Sequence, residues 1–266
     1  MLRRPRHGLA AEVWQVVPFR EALDHFQSVR QVALPSRPLG LIVGKAGVGK
    51  TFTAEQYALN NRETLIVTVP PKAILTPHAL LFEYAEALGI ATSVARSSWD
   101  FRNLVVNALI KRDYFVIVDE ADRLTPKIAD LIRDIAERSS RATCFLGCPS
   151  VIGVLEKVEA THHRIGVMYR INAITYDDLY ASLHGRPLLT SAAARPQLPE
   201  TTRNFDEPAL KEFWDVTGGN LRHIATVLAS LRTKQPDAST RRSSFDPLAP
   251  AFIRAVAERY LMPAAA

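Results

Sequence analysis

The stretch Gly44-Lys-Ala-Gly-Val-Gly-Lys50-Thr51 constrains this chain more than any other. It fits the pattern Gly-x-x-x-x-Gly-Lys-Ser/Thr in full. The apolar run Leu41-Ile-Val43 precedes it, and a run with helical character, 52–60, follows. A strand that turns sharply through glycines into a helix leaves backbone N–H groups pointing inward at one spot. The positive end of the helix then favours an anion there. Lys50 is expected to reach the β and γ phosphates of a nucleotide, and the Thr51 hydroxyl to ligate Mg²⁺. The expected nucleotide contacts are Gly44, Lys45, Ala46, Gly47, Val48, Gly49, Lys50 and Thr51, with Phe52 at the helix start.

Around this unit the pattern alternates between strand and helix. Strand-like runs are Leu41–Val43, Thr64–Val69, Tyr114–Val118, Ala142–Leu146 and Tyr169–Ile174. The third is apolar throughout, as a strand covered on both faces must be. Helical spacing appears in 101–112 and 127–138, the latter opened by Pro126. Such alternation predicts βαβ units and a parallel sheet. After Ile174 only helical patterns remain, at 177–184, 208–216, 220–233 and 250–261. The expected organisation is an N-terminal helical extension over 1–37, an α/β nucleotide-binding domain over 38–175 and a small all-helical domain over 176–266. A connector rich in Pro, Ala, Ser and Thr lies at 185–206.

A second motif belongs to the same chemistry. Val116-Ile-Val-Asp119-Glu120 ends the most apolar strand on two acids, where open α/β sheets bind ligands. Asp119 is placed to hold Mg²⁺ through its water shell. Glu120 is placed to orient and deprotonate an attacking water. The second acid ranks a small-molecule kinase last among the alternatives. Asp122, one turn on, is expected to be a solvated charge at a helix start.

Composition narrows the class further. The 266 residues carry 33 Lys+Arg against 27 Asp+Glu, a net +6 that suits a polyanionic partner without forming a polybasic tail. Two cysteines, Cys144 and Cys148, exclude a disulfide-stapled fold, and no four-ligand spacing suggests zinc. No apolar run is long enough to span a bilayer. The basic N-terminus is not followed by the apolar run of a secretory leader. A cytoplasmic protein is expected, with no membrane association.

The phosphate loop, the Asp-Glu pair, a strand ending Phe145-Leu-Gly-Cys-Pro149, and Gly218-Gly-Asn-Leu-Arg222 on the helical domain together resemble an AAA+ ATPase. Val118-Asp-Glu-Ala-Asp-Arg-Leu124, with the Leu-Gly-x-Pro turn, is similar to the transposition type: the MuB, TnsC and TniB proteins and the related ExeA-like group. The likeness covers roughly residues 38–232. It implies a P-loop parallel five-stranded sheet flanked by helices, a helical lid, ATP with Mg²⁺, and ATP hydrolysis. It also implies a second-sensor role for Arg222 and an arginine finger, offered to a neighbouring subunit, at Arg164 with Arg170 as the alternative. Arg123, Arg138 and Arg141 are weaker bids. The first sensor, usually a polar residue, falls on Cys148, with Ser150 as the alternative.

Loops after the second strand and the next helix are where such assemblies grip a polymer. Here they offer Lys72 and Thr76, then Arg96, Ser97 and Ser98, groups suited to phosphate oxygens and hence to sequence-indifferent, salt-sensitive binding of double-stranded DNA. Trp99 is expected in the core at a helix start. One helical pattern at 19–31 is too little for a helix-turn-helix module, so specific DNA recognition is not expected. The resemblance therefore implies an ATP-dependent, non-specific DNA-binding ATPase. It would oligomerise as a ring or helical filament and direct target selection or transposase activation, with a transposase and a target-site adaptor as partners. An ExeA-like role in secretion or envelope assembly, and a nucleotide-gated switch with little turnover, are the alternatives.

Overall fold

The computed structural model describes residues 17–32, 37–91, 97–183, 207–233 and 250–261. Five strands, β1 Leu39–Gly44, β2 Thr64–Thr68, β3 Phe115–Asp119, β4 Thr143–Gly147 and β5 Ile165–Ile171, form one sheet in the order β2-β3-β4-β1-β5. Every pairing is parallel. β1, β3 and β4 are buried at every residue, and this is why their sequences read as unbroken apolar runs rather than alternating ones.

Helices link and cover the strands: α1 Val17–Val32, α2 Lys50–Asn60, α3 Pro77–Leu88, α4 Ser98–Ile110, α5 Pro126–Ser139, and the short α6 Val151–Leu155 and α7 Glu159–His162. Their ends are chemically marked. Thr76 caps α3 by accepting from the Ala79 N–H, and Pro77 sits in its first turn. Thr125 and Pro126 repeat the device in α5. Ser97 caps α4 through the Asp100 N–H. The α/β unit comprises Glu21–Ala46 and Lys50–Ile171. It therefore takes in most of α1, whose Ala22, Phe26 and Val29 are buried. Phe26 packs on the Tyr57 ring at 5.4 Å, and the Tyr57 hydroxyl donates to Gln27 at 2.8 Å.

From Asn172 onward the chain is helical: α8 Tyr176–Leu183, α9 Glu207–Thr217, α10 Leu221–Thr233 and α11 Pro250–Tyr260. They share a core of Ile174, Leu179, Leu210, Phe213, Ile224, Val227, Ile253 and Val256. Entry into α10 depends on Gly219, whose φ of 67° favours glycine and whose added Cβ would strike the Ile174 carbonyl oxygen. The connector 185–206 lies outside the described residues. Among the described residues no helix is long and apolar enough to cross a membrane.

The bounds of β1 to β4 lie within two residues of the expected runs, and those of β5 differ more. β5 begins at Ile165, four residues before the apolar pattern suggests, because pairing with β1 from Leu39↔Ile165 sets its start. It also stops at Ile171 rather than Ile174. Ile174 belongs instead to the helical unit's core.

Candidate active site

The strand order decides the geometry. β4 lies between β1 and β3, so the carboxyl ends of β1, β4 and β3 deliver the phosphate loop, the Gly147-Cys148 turn and Asp119-Glu120 side by side. This is the carboxyl edge at which open parallel sheets bind ligands.

Gly47 and Gly49 take φ of 80° and 94° in the loop, a conformation that side chains with a Cβ rarely adopt. The loop runs directly into α2, whose first turn holds Lys50 and Thr51. The Lys50 ammonium donates to the carbonyls of Gly44 at 2.7 Å and Lys45 at 2.9 Å, and lies 3.7 Å from Cys148 Sγ. The Thr51 hydroxyl donates to Asp119 Oδ2 at 2.7 Å. The other carboxylate oxygen of Asp119 accepts the Glu120 N–H at 2.8 Å. Burial pushes the Asp119 carboxyl above the ordinary aspartate range, and the Glu120 charge adds to the rise. The Thr51 and Glu120 hydrogen bonds and the Lys50 charge pull it back. A buried carboxylate beside a hydroxyl, next to a positive-φ glycine loop, is an oxygen-donor set that suits Mg²⁺ with a nucleotide phosphate.

Glu120 stands in the left-handed region, φ 57° and ψ 36°, which for a side-chain-bearing residue is strained backbone. Its carboxylate pairs with Arg123 at 3.4 Å. Arg123 in turn donates to the Val69 carbonyl at 2.9 Å. Asp122 is not the solvated charge expected: its Oδ1 accepts the Cys148 N–H at 3.1 Å. Nothing local in the sequence signals that bond, because the two residues meet only through the β3–β4 pairing. Of the two first-sensor candidates, Cys148 contacts Lys50 while Ser150 is exposed and caps α6 without a side-chain bond.

Residues 35–155 match the AAA domain family. Over 194 residues the chain is 25% identical, and distantly homologous, to the Mu-like prophage FluMu DNA transposition protein B of Haemophilus influenzae. That match covers 72% of this chain and 64% of the relative, so the chain spans less than two thirds of that relative's length. Among solved structures, Cdc6p of Pyrobaculum aerophilum aligns with a TM-score of 0.58 at 19% identity, over 85% of this chain and 62% of that one. The ORC1 protein of Aeropyrum pernix, solved in complex with DNA, gives 0.57 at 20%, over 93% and 67%. Domain III of the Thermotoga maritima replication initiation protein DnaA gives 0.55 at 14%, over 98% and 100%. At these identities the structural likeness establishes the AAA+ fold.

The remaining expected residues are not all at this site. Arg164 lies at the amino end of β5, its carbonyl accepting the Leu39 N–H at 3.2 Å, and its guanidinium is engaged by Glu137 of α5. Arg170, level with Val43, sits exposed at the carboxyl end of the same strand. Arg222 is exposed in the first turn of α10, and its backbone N–H donates to Asn220 Oδ1 at 3.0 Å and to the carbonyl of Gly47, in the glycine loop, at 3.3 Å. Lys72 is exposed in a 3-10 turn after β2. Thr76 spends its hydroxyl oxygen on capping α3. Arg96 lies outside the described residues. Trp99 is not a core residue, being 63% exposed. Phe101, Val105 and Leu109 take the buried face of α4, and a residue two places before Phe101 points away from it.

Proposed function

We propose that this protein hydrolyses ATP and, in its ATP-bound form, assembles on duplex DNA without sequence preference. It would regulate target selection or transposase activation in DNA transposition within the cytoplasm. The observation that carries the reading is the convergence of Lys50, Thr51, Asp119 and Glu120 at one sheet edge. Distant homology to a DNA transposition protein supports the process.

Magnesium-bound ATP supplies the phosphoanhydride bond and its activated phosphorus. The chain's own residues supply the rest. The loop N–H groups and Lys50 bind and orient the phosphates, while Thr51 and Asp119 hold the metal's oxygen shell. Glu120 accepts the proton of the attacking water, which requires its carboxylate to leave Arg123. Arg222 keeps the second-sensor role that its Gly-Gly-Asn-Leu-Arg setting implies. Arg164, at the opposite end of β5 from its own phosphate loop, suits service to a neighbouring subunit in a ring or filament. Lys72 and Thr76, with Arg96, are the proposed phosphate-backbone contacts. A transposase and a target-site adaptor are the proposed protein partners.

A second reading, a nucleotide-gated switch with little turnover, is favoured by one feature: Cys148, a weak hydrogen-bond donor, stands where a polar first sensor is usual. One experiment addresses both readings. Duplex DNA of arbitrary sequence is titrated with protein, with and without ATP and Mg²⁺, at rising salt, while phosphate release is followed. The main reading expects ATP-dependent binding that weakens steeply with salt, together with phosphate release. Equal binding with and without ATP counts against it, and binding without release selects the switch.

A further inference from the structure

The turn that carries Glu120 is anchored on two sides by consecutive residues. Towards β2, Arg123 donates to the Val69 carbonyl. Towards β4, Asp122 accepts the Cys148 N–H. We propose that Asp122 is a positioning residue that locks the Glu120 turn to the Gly147-Cys148 turn and so holds the Cys148 thiol against Lys50. This rests on the hydrolytic reading above and extends it to a residue whose charge touches neither nucleotide nor metal in that scheme.

Three observations carry the inference. The first is the bond itself, 3.1 Å from a backbone N–H to a carboxylate oxygen. Second, the approach is too close for any side chain. A Cβ on Gly147 would sit 2.9 Å from the Asp122 nitrogen, 3.2 Å from its Oδ1 and 3.3 Å from Ala121 Cβ. Gly147 is thus the residue that lets the two turns meet. Third, the bonded N–H belongs to the residue whose Sγ lies 3.7 Å from Lys50 Nζ. A displacement of Asp122 is therefore passed along a single residue to the lysine of the phosphate loop. Its neighbour Glu120 is held in the left-handed region, which persists only where surrounding contacts over-determine it.

The bond should act on turnover more than on nucleotide affinity, because it fixes groups around the reacting phosphate rather than the loop that binds it. Asp122→Ala removes the acceptor; Asp122→Asn keeps an oxygen for the Cys148 N–H and removes only the charge. ATP turnover, ATP affinity and the rate at which iodoacetamide alkylates Cys148 are measured for wild type and both variants. Cys144, fully buried with its thiol pushed up by burial, does not compete for the reagent. With Asp122→Ala, kcat is expected to fall about tenfold or more with ATP affinity within about twofold, since small misplacements at a reacting centre are costly. Alkylation of Cys148 is expected to accelerate at least about threefold. Asp122→Asn should restore most of both. Unchanged alkylation and turnover in Asp122→Ala would overturn the inference, as would a loss shared equally by the Asn variant. If wild type releases no phosphate, the hydrolytic reading fails by itself. The alkylation rates, which need no turnover, still decide whether Asp122 holds the Cys148 turn.

Discussion

The hydroxyl of Thr51 donates to a carboxylate oxygen of Asp119 across 2.7 Å, although 68 residues separate the two in the chain. The bond joins the first turn of α2 to the end of β3 and brings the glycine loop and the Asp-Glu pair together. Its cost is a carboxylate held 3% exposed and pushed above its ordinary range by burial. The sign follows from linkage: with the folded-state carboxyl raised, protonation favours the fold, so stability tied to this group is present at low pH and is lost as pH rises through the folded value. Asp119→Asn removes a charge that is poorly solvated at neutral pH while keeping an oxygen for the Glu120 N–H and an amide N–H that the Thr51 hydroxyl can accept. The nucleotide-free variant should melt above wild type at pH 7, with the difference closing as pH falls through the carboxylate range. Magnesium-dependent ATP turnover should be lost. Parallel melting curves at every pH would show that Asp119 is not destabilising when ionised.

Glu120 allows backbone strain and chemistry to be separated. Its φ of 57° costs any residue with a Cβ about 1 kcal/mol relative to glycine. Glu120→Gly should therefore be more stable than Glu120→Ala by about 1 kcal/mol in denaturant unfolding. Both should lose at least about 100-fold in turnover, the usual worth of a general base. Glu120→Gln should lose the same turnover, keep nucleotide affinity and lengthen the life of DNA assemblies. Glycine and alanine variants of equal stability would mean that the left-handed turn is not imposed on Glu120.

How much of this was legible in the sequence follows from how far each feature depends on distant partners. β3 was readable because a strand buried on both faces is apolar at every position. α5 was readable because Ile128, Ile132 and Ile135 face the core at helical spacing after Pro126. α3 left no such stripe, since Leu80, Leu81, Phe82 and Tyr84 run around the helix, and Phe82 ends up exposed. β5 starts at Ile165, where Leu39 of β1 pairs with it, and an edge strand with exposed Met168 and Arg170 gives little apolar pattern. The loop lysine and the acid pair were legible as motifs. The bond from Asp122 to the Cys148 turn was not, because it exists only once β3 and β4 lie in register. The left-handed Glu120 was equally hidden, glutamate being no signal for such a turn.

The helical unit makes its own prediction at Gly219. The position combines positive φ with a backbone carbonyl, that of Ile174, where a methyl group would go. The same two residues exchange a bond from the Ile174 N–H to the Gly219 carbonyl at 3.2 Å. Gly219→Ala therefore meets both strain and collision and should cost about 2–4 kcal/mol. Limited proteolysis should show faster cleavage within α8–α11, with the Glu21–Ile171 unit cut at its former rate. An unchanged cleavage pattern would mean that the turn before α10 yields without cost.

Arg164 offers the sharpest test of assembly. Its ion pair with Glu137 is half-exposed, at 44% and 26% for the two side chains, and such a pair contributes at most about 1 kcal/mol. Arg164→Ala should therefore fold with little change in melting temperature. A finger that completes the neighbouring subunit's site is worth about 10³–10⁵ in rate, so losing it should abolish turnover in pure variant assemblies. Mixing with wild type shows whether subunits act in concert, and complementation isolates the direction of that action. When variant is titrated into wild type at constant total protein with ATP and DNA, each variant subunit disables the site beside it as well as being served normally itself. Activity should then fall in proportion to the wild-type fraction if neighbours alone matter, and more steeply if assemblies hydrolyse in concert. A catalytically dead Glu120→Gln subunit that keeps Arg164 should in turn restore turnover to an Arg164→Ala subunit beside it. Failure of that complementation, with the same rescue obtained from Arg170→Ala, would move the finger to the carboxyl end of β5, level with Val43.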